Sequence, residues 1–261
     1  MINKKDLHTR TGKKVLMCSA GMDSYIINYL EKPDVLVFVD NNSNYSKIER
    51  FYLESMKLDN LVIVENFIDH SSIELENMII PGRNLNFAMI GAHYGEHIIL
   101  GATAGDRSTD KDYKFAELTS ELLSHIYSKS HWCSKGDIKI DLAYKDWTKQ
   151  GLVAEFVKRK GEEGLDAESA VGLLIEESFS CYHPNEFGQC NRCKPDTRKY
   201  LSILGATGID ISKYYQKGNK PSEYFTKEVI EEWISDLKLD PSRGRESQET
   251  IIVLEKLLKQ K

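Results

Sequence analysis

Apolar residues in this chain fall into short runs separated by longer stretches with helical spacing. Val15-Leu16-Met17-Cys18, Val35-Leu-Val-Phe-Val-Asp40, Leu61-Val-Ile-Val64 and His97-Ile-Ile-Leu100 are nearly continuous apolar blocks. Such blocks are the pattern of strands buried on both faces of a parallel sheet. Asp137-Ile-Lys-Ile-Asp-Leu142 alternates and reads as a fifth strand. Between the runs, Ile26, Ile27 and Leu30, then Leu85, Ala88, Met89 and Ala92, then Phe115, Leu118, Leu122, Leu123 and Ile126 recur at helical intervals. Val153, Phe156 and Val157 continue the pattern after Asp146-Trp147. The expectation is an α/β fold, a five-stranded parallel sheet with helices on both faces, over residues 1–165. A helical C-terminal region is expected over 166–261, with helices at Tyr224–Leu239 and Glu249–Leu258. Packing on the main domain and a homodimer or partner surface are both open uses for those helices.

The polar junctions carry the candidate chemistry. Ser19-Ala20-Gly21-Met22-Asp23-Ser24 lies between a buried strand and a helix, where backbone N–H groups and the positive end of the helix dipole converge on one point. The GxxxxGK[ST] and GxGxxG signatures are absent from it. Asp40-Asn-Asn-Ser-Asn44 ends the second strand on the same rim, and Ser46-x-x-Glu49 has capping-box spacing. Pro81-Gly82-Arg83-Asn84 opens a helix with a cation at its positive end, a placement that calls for an anion nearby. Gly101 to Asp112 is a second polar loop after a strand, with Asp106, Arg107, Lys111 and Asp112. Each of these also admits a plainer reading as a solvated turn.

Three of the five cysteines lie between Cys181 and Cys193, which suggests a reduced compartment and a metal rather than a disulfide framework. Cys190-x2-Cys193 has knuckle spacing, Cys181 supplies a third sulfur, and Asp196 or His183 is left as fourth ligand. Three buried reduced thiols are the alternative. The 261 residues, 41% hydrophobic and 29% charged, are ordinary for a soluble protein. A net charge of −5 argues against broad nucleic-acid binding. No apolar run is long enough to span a membrane, and the polar start has no h-region, so a cytoplasmic location is expected.

Taken in order, these segments resemble the 7-cyano-7-deazaguanine synthase (QueC) family of the PP-loop ATP pyrophosphatase superfamily. Ser19, Gly21, Asp23 and Ser24 match its SGGxDS loop, with Ala20 in place of the first glycine. Pro81-Gly-Arg83-Asn84 is similar to its PxRN element, Gly101–Phe115 to its substrate-facing region, and Thr148-Lys149 to its TKxEI motif without the acid. Ser180-Cys181-Tyr182 and Cys190-x2-Cys193 match its zinc pattern except at the last cysteine.

The resemblance implies an adenine nucleotide alpha hydrolase-like fold using ATP, Mg²⁺ and Zn²⁺. It implies that 7-carboxy-7-deazaguanine is adenylated and joined to ammonia on the way to the nitrile preQ0. ATP would be held by Cys18, Ser19, Ala20, Gly21, Met22, Asp23, Ser24, Asp40 and Arg83, with Asp23, Arg83 and Lys149 acting at the phosphates. The base would meet Asp106, Asp112 and Phe115, and zinc would take Cys181, Cys190, Cys193 and Asp196. Alternatives are transfer of the adenylated base to another amine, on a protein or nucleic acid, and a zinc-knuckle binding module whose ATP loop is vestigial. A tRNA sulfurtransferase would need a reactive cysteine pair, whereas Cys18 sits in a strand pattern and Cys133 is isolated.

Overall fold

The computed structural model describes residues 12–43, 45–65, 70–75, 80–128, 137–184, 188–240, 242 and 244–261; Asn44 and Cys133 lie outside them. Its described chain divides into two compact units. One comprises residues through Ala102 with Ser108–Lys145, the other Thr103–Arg107 with Asp146–Lys261. The helix following Thr148 packs with the helices after it.

The first unit holds a sheet of strands β1 (Lys14–Met17), β2 (Val35–Asp40), β3 (Leu61–Glu65), β4 (His97–Leu100) and β5 (Lys139–Asp141). Their spatial order is β3-β2-β1-β4-β5, and every pairing is parallel. Strand β1 is central, with Val15 beside Val35 on one side and Ile98 on the other. Val15 and Leu16 point to opposite faces and both are 0% exposed, so protein covers the sheet on both sides. Among the described residues, this unit carries the α-helices α1 (Met22–Glu31), α2 (Ser46–Ser55), α3 (Arg83–Gly91) and α4 (Tyr113–Tyr127). Ala88 and Ala92 bring α3 close to the sheet, in one cluster with Val15, Val37 and Ile98.

Two local expectations are corrected. In α4 the stripe Leu118, Leu122 and Ile126 is half exposed, and Ala116, Thr119 and Leu123 form the buried face. The cause is polar: Ser120 Oγ accepts from Ile140 N–H and Ser124 Oγ from Ile138 N–H, both at 2.9 Å, which turns the serine side of α4 toward β5. At α2 the capping box does not form. Tyr45 occupies the cap position, and Ser46 Oγ donates to the Ser43 carbonyl at 3.1 Å.

The second unit is helical: α5 (Lys149–Glu162), α6 (Ala167–Glu176), α7 (Lys194–Thr207), α8 (Pro221–Tyr224), α9 (Lys227–Leu239) and α10 (Arg245–Leu258). Thr148, Asp166 and Thr226 cap α5, α6 and α9 through side-chain oxygens. Helix α10 starts four residues before the expected Glu249, and α9 begins at Lys227 because Phe225 interrupts the pattern that starts at Tyr224.

Gly95, where the chain enters β4, lies against the β1 backbone; a Cβ there would sit 2.5 Å from the Lys13 carbonyl oxygen and 2.6 Å from Val15 Cγ2. Backbone cannot yield as a side-chain tip can, so Gly95→Ala is expected to cost about 1–3 kcal/mol. Thermal melts should show Tm lowered by several degrees.

Candidate functional site

The sheet's topological switch point lies between β1 and β4, the place where ligands bind at the carboxyl ends of strands in open α/β sheets. The turn that leaves β1 there is drawn tight by its own side chains. Ser19 N–H donates to Ser24 Oγ at 3.1 Å, the two hydroxyls are 3.2 Å apart, and Gly21 N–H donates to Ser19 Oγ at 3.2 Å. Gly21 is the N-cap of α1 and has no side chain to cap it, while the first-turn amides of any helix lack an intrahelical acceptor. The arrangement suits an anion. Ala20 is buried and is not among the residues with positive φ, so an alanine fits where the resemblance has glycine. Met22 is buried beneath the turn and Asp23 stands in the first turn of α1.

Beside this turn, α2 and α3 bring the expected Arg83 together with Tyr45 and Glu49, which the sequence does not single out for the site. Arg83, the first residue of α3, donates from Nη1 to the Tyr45 hydroxyl at 2.7 Å, and its guanidinium lies 5.8 Å from the Phe87 ring centre. Burial pushes the Glu49 carboxyl up to about 7 against the opposing pull of Arg83. Burial also pushes the Cys18 thiol up to about 12, with Glu49 adding to the shift, so Cys18 is no thiolate nucleophile. Tyr45, Glu49 and Leu53 are four apart, and both flanking residues are buried. That spacing was the available signal for Glu49, and the capping-box spacing masked it. Asp40, at the end of β2, pairs with Arg50 at 3.2 Å.

The other candidates lie on local frames. Asp112 Oδ1 caps α4 by accepting Phe115 N–H at 2.7 Å, and Phe115 packs partly buried against the sheet cluster. Asp106, in the second unit, accepts from Thr103 N–H at 2.9 Å and closes a turn. Lys149 begins α5 directly after its cap Thr148.

In the second unit Cys181, Cys190, Cys193 and Asp196 place one ligand atom each within 4.8 Å of the others. Tetrahedral zinc with bonds of about 2.3 Å needs sulfurs roughly 3.8 Å apart; Cys181 Sγ and Cys193 Sγ are 3.9 Å apart. Cys193 N–H points at Cys190 Sγ at 3.3 Å and Cys190 N–H at Cys181 Sγ at 3.2 Å, so backbone donors await the thiolate charge. Asn191, at φ 56, turns the knuckle and is held by Asn219, whose carbonyl accepts from its side chain at 2.8 Å. Asp196 Oδ2 accepts from Asn191 N–H at 2.9 Å and lies 3.4 Å from Cys190 Sγ, so it is the carboxylate oxygen that faces the sulfurs. These residues fit zinc as a Cys3Asp site. His183 is exposed and stands outside the four. Nearby, the buried Lys199 donates to the Ser178 carbonyl at 2.9 Å, and burial draws its pKa down to about 8.

A parallel sheet in this order, with a polar anion-type turn after its central strand and a cysteine cluster nearer the C-terminus, is the adenine nucleotide alpha hydrolase-like class of α/β fold. The family model described as queuosine biosynthesis protein QueC matches residues 35–200, and the chain belongs to that family. The match starts at β2, so the turn after β1 rests on its own geometry. Neither the comparison with curated proteins nor that with solved structures returns a match. Membership supports an ATP-using, C–N bond-forming activity of the preQ0 synthase type. No helix among the described residues is long and apolar enough to cross a membrane.

Metal analysis of the purified protein is expected to find about one zinc per chain. Asp196→Ala should weaken zinc affinity by more than the roughly tenfold to hundredfold typical of outer-sphere losses, read by chelator competition.

Glu49 has a folded pKa of about 7 against 4.5 ordinarily, so the folded state holds its proton more tightly. Its contribution to stability is complete below about pH 4.5 and is lost as pH rises through 7. Denaturant titrations should show a flatter stability profile over that window for Glu49→Gln, with higher stability than the parent at pH 8.

Proposed function

We propose that this protein activates 7-carboxy-7-deazaguanine with ATP and condenses it with ammonia, forming 7-cyano-7-deazaguanine. The observation that carries the reading is the turn from Ser19 to Ser24, closed by its own hydroxyls at the switch point of a QueC-family sheet. In this reading a carboxylate oxygen of the acid attacks the α-phosphorus of ATP and pyrophosphate leaves. Ammonia then attacks the acyl carbon, AMP departs with the bonding electrons, and loss of a proton gives the amide. A second ATP is then attacked at its α-phosphorus by the amide oxygen, releasing pyrophosphate; the nitrogen loses its two protons as the C–O bond breaks and AMP departs with the bonding electrons, and the nitrile forms.

The chain's residues serve this sequence in separate ways. Ser19, Gly21 and the amides of Met22 to Ser24 receive the pyrophosphate as its charge grows, so they act more strongly in the transition state than on bound ATP. Asp23 would hold Mg²⁺ at the phosphates, a carboxylate and phosphate environment that suits this ion. Arg83 neutralises phosphate charge. Tyr45 fixes the direction of the Arg83 guanidinium through the 2.7 Å hydrogen bond. The Cys3Asp site would hold zinc as a structural ion that ties the knuckle to the start of α7.

Isotope exchange between pyrophosphate and ATP is expected only when the heterocyclic acid is present. Asp23→Ala should abolish it, and Ser24→Ala should reduce it by about a hundredfold or more. Exchange that ignores the acid overturns the reading. Product mass then separates the nitrile from an amide or a conjugate to another amine.

A further inference from the structure

The Thr103–Arg107 loop is gripped by a part of the chain that the family match does not reach. Arg107 Nη1 pairs with Asp240 at 2.5 Å and donates to Ser242 Oγ at 3.2 Å. Ala104 N–H donates to the Trp147 carbonyl at 2.9 Å, and Arg245 reaches the Asp146 carbonyl at 3.2 Å. Gly105 lies directly on an ion pair between Arg198 of α7 and Glu246 of α10; any Cβ there would overlap both side chains. The backbone of this loop and the Glu246 carboxylate are thus in contact, and a larger residue at 105 would have to push the ends of the Glu246 and Arg198 side chains aside.

Glu246 is 7% exposed and uses one oxygen, Oε1, on Arg198. Its other oxygen, Oε2, is enclosed and has no hydrogen-bond partner, and the adjacent Ser247 hydroxyl, on a residue 4% exposed, is in the same state. An enclosed acceptor without a donor costs free energy that returns when a ligand supplies one. Arg198 already matches the carboxylate's charge, so what Oε2 lacks is an N–H group and not a cation. Asp106 and Asp112, which the sequence offers for a base, each have an oxygen committed to a backbone N–H.

We propose that Glu246 Oε2 accepts the N–H edge, ring N–H and exocyclic amino group, of a guanine-like heterocycle bound against the Thr103–Arg107 loop. This rests on the reading that the protein binds a deazaguanine acid. It makes α10, beyond residue 200, a determinant of substrate specificity. An acidic residue on the buried stripe of α10, seven before Val253, was its trace in the sequence.

The test is calorimetric binding, without ATP, of 7-carboxy-7-deazaguanine and of its analogue lacking the 2-amino group, to the full chain. The parent protein should prefer the amino compound by about tenfold or more. Glu246→Gln should bring that preference close to one while leaving affinity for the analogue within about twofold. Glu246→Asp keeps the charge facing Arg198 but withdraws the oxygen, and should also reduce the preference. Equal loss for both compounds, a preference retained in a folded variant, or no preference in the parent overturns the proposal. Binding of neither compound by the parent is a distinct result, and it removes the functional reading as well.

Discussion

The constraint on which the structure depends is the complete enclosure of β1. A strand paired on both edges and covered on both faces has only its ends available. Its carboxyl end must therefore be followed at once by residues that tolerate polarity and a sharp change of direction. Ser19 and Ser24 meet that need by satisfying each other and the turn's amides, and α1 begins with its first amides uncapped by any side chain. A turn geometry suited to an anion follows from the way a buried parallel strand has to stop.

The same principle, a polar group that burial forces into a defined partnership, organises the second unit. The three sulfurs and Asp196 are pre-arranged by backbone donors and by the Asn191–Asn219 brace before any ion enters. An oxygen ligand in place of a fourth thiolate changes hardness and bond length, but the count of negative ligands is unchanged. Lys199 is enclosed close by, and its attraction to Asp196 is smaller than the desolvation it suffers.

The order of strands and helices, the turn after β1, the Pro81–Asn84 element and the cysteine spacing were all legible because they are local: each depends on residues within about one element. What escaped was set by partners far along the chain. Which face of α4 is buried depends on two serines that meet β5. The environment of Glu49 depends on Cys18 and Arg83, and that of Glu246 on Arg198 and Gly105. Asp112 and Phe115, which the sequence offers for a base, also have structural partners: one caps α4 and the other packs beside the sheet.

The two serine contacts to β5 have a consequence beyond the orientation of α4. An outermost strand normally presents a row of unpaired amides, which is a template for recruiting a strand from another molecule. Here the hydroxyls of Ser120 and Ser124 occupy the amides of Ile140 and Ile138, and β5 is only three residues long. That border of the sheet therefore offers no free amide at 138 or 140 to a strand from another molecule.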